Sequence, residues 1–133
     1  MNLEVLDLSY NPKVSETTYT MLRRMLEDPY NRLRQLNLEG NSCGDKALLI
    51  IGEAITYNSH LRYLNLSRNN ITDASSEMLK ELLKLNNSLR VLLLHWNFIR
   101  AIGAIKIFEG LLVNDTLKIL DMSHNQIGSE FYD

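Results

Sequence analysis

The 133-residue chain has one cysteine, Cys43, and can form no internal disulfide. Small secreted domains often lean on disulfides, so packing alone must hold this chain together, and a reducing, cytoplasmic compartment is expected. Two prolines and six glycines are too few for a collagen-like or low-complexity chain. Basic charge is not in excess: 14 Lys+Arg against 16 Asp+Glu leave a net charge of −2. No overall field therefore favours nucleic acid or an anionic membrane. No apolar run approaches the ~20 residues of a membrane-spanning helix. The opening MNLEVLDLSYN lacks the basic and apolar regions of a signal peptide. There is no glycine-rich phosphate loop, no placeable Ser/His/Asp arrangement and no ligand cluster at metal-site spacing. Catalysis, a cofactor and a metal are accordingly not expected.

What is present is repetition. LRYLNLSRN, Leu61–Asn69, reads Leu-x-x-Leu-x-Leu-x-x-Asn. The same pattern opens at Leu3, Leu33, Leu89 and Leu117, as LEVLDLSYN, LRQLNLEGN, LRVLLLHWN and LKILDMSHN. The starts advance by 33−3 = 30, then by 61−33 = 28, 89−61 = 28 and 117−89 = 28 residues. A fixed period with fixed residue types is the signature of a leucine-rich-repeat solenoid. The four sequons, at Asn65, Asn70, Asn86 and Asn114, read as by-products of a repeat rich in Asn, Ser and Thr.

Within a unit, alternation along the leucine segment predicts a short strand with Leu64 and Leu66 on one side and Tyr63, Asn65 and Ser67 on the other. Parallel pairing of successive strands needs a crossover in each unit. Met78, Leu79, Leu82, Leu83 and Leu85 fall at helical spacing after the candidate caps Thr72 and Asp73. Ile50, Ile51, Ala54, Ile55 and Tyr57 repeat the stripe in the second unit. Ile107, Gly110, Leu111 and Val113 do so in the fourth, and Leu22, Met25 and Leu26 in the first. Ala54 and Gly110 stand where the third unit has Leu82, which predicts a helix lying close to its strand there. Pro12 and Pro29 fit loops, because proline breaks a helix interior. The closing asparagines Asn11, Asn41, Asn69, Asn97 and Asn125 are expected to form a ladder that pairs buried backbone groups of adjacent units. Losing one rung should cost ~1–3 kcal/mol. Strands pair at about 4.8 Å and helices pack ~8–10 Å apart, so the stack must curve with strands on the concave side.

The fold class is therefore α/β: one domain, 1–133, a curved leucine-rich-repeat solenoid of about five repeats of 28 residues with a parallel concave sheet and convex helices. The five motifs and their helical linkers, from Leu3 to about Gly128, resemble the ribonuclease-inhibitor-like class of leucine-rich repeats. That class includes inhibitors, receptor sensor domains, GTPase activators and cytoskeletal proteins. The run Trp96-Asn97-Phe98-Ile99-Arg100 followed by Gly103-Ala104 is more loosely similar to intracellular leucine-rich-repeat proteins of flagellated and ciliated cells. The likeness implies a structural place in a cilium or axoneme.

Concave side chains come from the third, fifth and seventh places of each motif, with the eighth at the rim. The fourth unit departs from the others: Leu93 replaces the Asp or Asn of the fifth place and lies beside Val91, His95 and Trp96. An apolar, aromatic spot among polar ladders is a candidate hot spot for a protein partner. The candidate partner-binding residues are Tyr63, Asn65, Arg68, Val91, Leu93, His95, Trp96, Ile119, Asp121 and His124. His95 and His124 lack a third ligand for a metal, and Cys43 reads as a buried thiol in the place held by Ile71, Ile99 and Ile127 elsewhere. The second place is basic in four units, Arg34, Arg62, Arg90 and Lys118, against Glu4. That file reads as a solvated edge, with an acidic partner as the alternative. Solenoids close their cores with polar-faced terminal units, and neither end here shows one. A missing cap at one or both ends, or docking end to end, is the expectation. The function expected is non-catalytic protein recognition as a scaffold or adaptor; regulation of an enzyme, as a GTPase activator or inhibitor, is the alternative class.

Overall fold

The computed structural model describes residues 2–128. Five strands, β1 (Val5–Asp7), β2 (Gln35–Asn37), β3 (Tyr63–Asn65), β4 (Val91–Leu93) and β5 (Ile119–Asp121), form one parallel sheet in chain order. Four helices cross between them: α1 (Glu16–Glu27), α2 (Gly44–Tyr57), α3 (Ser76–Leu85) and α4 (Ala101–Leu112). The helix expected from Ser129 onward lies outside the described residues.

Each strand is three residues long, the middle of a nine-residue motif, because the chain turns away on both sides. Register is that of the repeat. Val5, Gln35, Tyr63, Val91 and Ile119 lie side by side, as do Asp7, Asn37, Asn65, Leu93 and Asp121. Behind the sheet the motif leucines of the three middle units are buried to 2% exposure or less. In the first and last units Leu6, Leu8, Leu117, Leu120 and Met122 are only partly buried, and Leu3 is exposed. One sequence pattern thus gives two burial states, decided by whether a unit has neighbours on both sides. Burying a leucine side chain stabilises by roughly 1.5–3 kcal/mol, and most of that gain is shared between units.

The helical stripes are narrower at their ends than their spacing predicts. Leu79, Leu82 and Leu83 are buried, whereas Leu85 is exposed. Ile51, Ala54 and Ile55 are buried with Ala47 and Leu48, but Tyr57 is exposed. Val113 caps α4 and is exposed, because the backbone has already begun to leave the helix there. Thr72 does cap: its side chain accepts from the Ala74 N–H, opening a 3-10 turn at Asp73–Ser75 before α3.

Gly110 corrects an expectation. Its close neighbour is the preceding helix, not its own strand: an added Cβ would stand 2.6 Å from the Lys80 carbonyl oxygen and 3.0 Å from Lys80 Cα. The small residue lets α4 approach the α3 backbone, and the pairs Lys80–Glu109 (3.0 Å) and Lys106–Glu77 (3.5 Å) tie the two helices across that contact.

Asparagine ladders and the candidate concave surface

The turns that follow the strands are built by the closing asparagines. The Asn11, Asn41 and Asn69 N–H groups donate to Oδ1 of Asn41, Asn69 and Asn97, at 2.6, 3.1 and 3.0 Å. Ile71 N–H donates to Asn97 Oδ1 and Ile99 N–H to Asn125 Oδ1, both at 3.0 Å. The amide nitrogens complete the rungs: Asn69 Nδ2 donates to the Leu38 and Ser67 carbonyls, Asn97 Nδ2 to Leu66 and Leu94. One side chain therefore binds its own turn and the turn before it, which leaves little freedom between units.

A second ladder runs along the other end of the strands. Asn58 Nδ2 donates to the Leu26 carbonyl, Asn86 Nδ2 to Ile55 and Asn114 Nδ2 to Leu83, at 3.0, 2.8 and 2.8 Å. Their Oδ1 atoms accept from Leu61, Leu89 and Leu117 N–H. Each ties a helix end to the helix of the unit before and fixes the start of the next strand. The signal was available in the 28-residue spacing of these three residues, two of which head sequons.

The fifth-place residues carry structure as well as surface. Asp7, Asn37, Asn65 and Asp121 each accept from the N–H two residues on, closing an Asx turn. Leucine cannot accept, so in the fourth unit the His95 N–H instead donates to Ser67 Oγ at 3.1 Å. Asn65 and Ser67 are consequently buried. Asn65 supports the surface from beneath and offers little of itself to a partner.

Around Ser67 a polar network crosses four units. Glu39 accepts from Tyr10 Oη at 2.8 Å and from Asn65 Nδ2 at 3.5 Å, and its Oε1 lies 3.5 Å from His95 Nε2. The small Ser67 between Glu39 and His95 lets the two reach across it. Glu39 and Tyr10 are functional candidates that the residue-by-residue reading missed; their places in the seventh and eighth columns, one and two units from Ser67, were the available signal. The Glu39 bond raises the Tyr10 phenol above its usual pKa. Hydrogen bonds from the Ser123 hydroxyl and N–H, helped by His95 and His124, hold Asp121 below the usual carboxylate range.

The eighth-place residues form the rim. Tyr10, Arg68, Trp96 and His124 all adopt positive φ, 55–57°, and Gly40 sits at 75°. This left-handed turn aims the side chains along the stack. The Trp96 ring stacks on His124 at 4.2 Å with 8° between planes, and the Arg68 guanidinium lies 4.8 Å above Trp96. Trp96 packs across units, not over its own turn, and remains 47% exposed. Inside the rim, Tyr63, Val91 and Leu93 are half-buried and Ile119 is exposed. Of the ten candidate residues, nine thus lie on an accessible apolar row or its polar and aromatic border, and Asn65 lies under it.

Cys43 is partly buried, and its thiol donates to Asn69 Oδ1 at 3.1 Å. Burial pushes its pKa up, so little thiolate forms near neutrality. Alkylation at pH 7.5 is expected to be about tenfold or more slower in the folded chain than in denaturant. Equal rates would show a thiol that the fold does not shelter.

Among the described residues no helix is long and apolar enough to cross a membrane. The repeat, the parallel sheet and the shared asparagine rungs define a curved solenoid, and the Leucine Rich repeat family model matches residues 57–80 and 113–130. The chain carries leucine-rich repeats and has the leucine-rich-repeat fold. Among solved structures it is similar to leiomodin-1 actin-binding site 2, with a TM-score of 0.72 at 24% identity over 88% of this chain and 68% of that one. It is also similar to the tropomodulin C-terminal domain of Caenorhabditis elegans, with a TM-score of 0.69 at 18% identity over 80% of this chain and 65% of that one. No curated protein sequence matches it.

Proposed function

We propose that the chain is a non-catalytic protein-recognition module of the cytoskeleton, and that actin is the partner to test first. The carrying observation is the row Tyr63, Val91, Ile119 with Leu93 beside it, held in register by the sheet and bordered by the stacked rim of Arg68, Trp96 and His124. An aromatic and apolar patch inside a polar border is how hot spots are built. A rigid extended sheet also lowers the ordering cost of binding. Support for actin is the likeness to leiomodin-1 actin-binding site 2. No specific observation favours the ciliary role or enzyme regulation over this reading.

Co-sedimentation with actin is the test. The unaltered chain should pellet with actin. Leu93→Asp and Trp96→Ala should each weaken it about tenfold or more, with melting temperatures near that of the parent. No co-sedimentation at all would remove actin as partner. Binding that survives both substitutions would move the interface off this patch.

A further inference from the structure

The strands have two ends, and the recognition patch uses the side chains along their length and past their C-terminal ends. At the other edge, where the strands begin, lies an open cleft of about 270 Å³ lined by Asn2, Glu4, Arg32, Arg34, His60 and Arg62. These residues come in three pairs, one from each of the first three units, at the same two places of the repeat. The second-place residues are fixed by the sheet: Arg34 N–H donates to the Glu4 carbonyl, Arg62 to Arg34, Arg90 to Arg62 and Lys118 to Arg90, each at 2.8 Å. Successive strands set their cations about 4.8 Å apart, and like charges in adjacent rungs repel.

Little among the described residues relieves that repulsion. Among the described residues Glu4 is the carboxylate paired with the file, 3.2 Å from Arg34 Nε, and both side chains are largely exposed. Arg62 is held from behind, its Nη1 donating to the Ser59, His60 and Ser88 carbonyls at 3.3–3.4 Å. Arg32 Nη1 lies 3.2 Å from His60 Nε2, which presents its lone pair to the guanidinium. Arg32 and Arg62 are thus oriented by a ring nitrogen and backbone carbonyls, and among the described residues their cationic charge is left largely unmatched on a chain whose net charge is −2.

We propose that this cleft binds an acidic peptide segment of a partner protein, with carboxylates taking the place of Glu4 on Arg34 and reaching Arg32 and Arg62. Planar guanidinium groups suit carboxylates, which they bind through two parallel hydrogen bonds. Glu4 already shows the kind of group the site accepts. An extended acidic segment fits better than a lone phosphate. The cleft spans three units, the file continues to Arg90 and Lys118 at strand spacing, and the Glu4 carboxylate in the wall opposes a compact dianion. The chain's negative net charge likewise opposes a long polyanion. The site is separate from the concave patch, so one solenoid can hold two protein segments at once.

The test titrates the full chain with hexaglutamate and, separately, with inorganic phosphate, in low-salt buffer by calorimetry. Hexaglutamate should bind with one site and raise the melting temperature, since a ligand of the folded state stabilises it. Arg34→Ala and Arg62→Ala should each weaken it about tenfold. Glu4→Gln should tighten it severalfold by removing the internal competitor. Arg23→Ala on α1, which pairs with Glu27, should change nothing. Affinity should fall as salt rises. Absent binding, or equal loss in Arg23→Ala and Arg62→Ala, overturns the site. Looser binding in Glu4→Gln overturns the role given to Glu4. Phosphate binding as tightly as hexaglutamate overturns the peptide as ligand.

Discussion

Asn69→Leu is expected to lower the melting temperature by ~10–20 °C, a loss of ~3–5 kcal/mol. Asn69 is fully buried. Its Oδ1 accepts from Asn41 N–H, Cys43 N–H and the Cys43 thiol, and its Nδ2 donates to the Leu38 and Ser67 carbonyls. Leucine fits the volume but satisfies none of these groups. Each buried, unpaired backbone group costs ~1–3 kcal/mol, and neighbouring losses do not simply add. The structure therefore raises the cost above that of a single hydrogen bond. Asn11 provides the contrast. It is exposed, and its side chain, the part that the substitution removes, donates within its own turn, to the Leu8 and Ser9 carbonyls. Asn11→Leu should cost less than ~1 kcal/mol. Differential scanning calorimetry of the two variants side by side checks the gradient. Equal effects would mean that the rungs do not join units.

Gly110→Leu should destabilise by ~2–4 kcal/mol, although leucine is a better helix former than glycine by nearly ~1 kcal/mol. The third unit carries leucine at the equivalent place, Leu82, and buries it completely. At Gly110 the first side-chain carbon would already overlap the Lys80 backbone. Backbone cannot rotate away as a side chain can, so α4 would have to shift off α3 and strain the Lys80–Glu109 and Lys106–Glu77 pairs. Overlap outweighs propensity here. Urea unfolding gives the number. A Gly110→Leu chain as stable as the parent would mean that the helices do not approach as closely as the structure has them.

Both effects arise from contact between units, and that is also where the sequence is only partly legible. The columns can be read directly, because a period of 28 and side-chain alternation fix which residues become neighbours. Val91 beside Ile119 and Leu93 beside Asp121 follow from counting. What a column does is harder to read. Asp and Asn in the fifth place look like binding groups, yet they close turns, and Leu93 is tolerated because Ser67 takes over as acceptor for the His95 N–H. Asn86 and Asn114 look like sequons, yet they hold helix ends to the previous unit. The positive φ shared by Tyr10, Arg68, Trp96 and His124 is hidden because only Gly40 advertises it. Gly110 declares a close approach without saying to what. Asp45 is equally silent. It accepts from the N–H and hydroxyl of Thr72, the residue that caps the helical turn of the next unit, a bond between residues 27 apart. In each case the residue type is explained by an atom of a neighbouring unit, which periodicity locates but does not identify.

The measurement closest to the heart of this account is native-state hydrogen exchange at single amides. The Asn41, Asn69, Ile71 and Ile99 N–H groups donate to the asparagine of the following unit. They should exchange only through global unfolding, as slowly as the amides in the middle of α2 and α3. Exchange of these four as fast as in an open loop would contradict it, because the units would then be strung together without being joined.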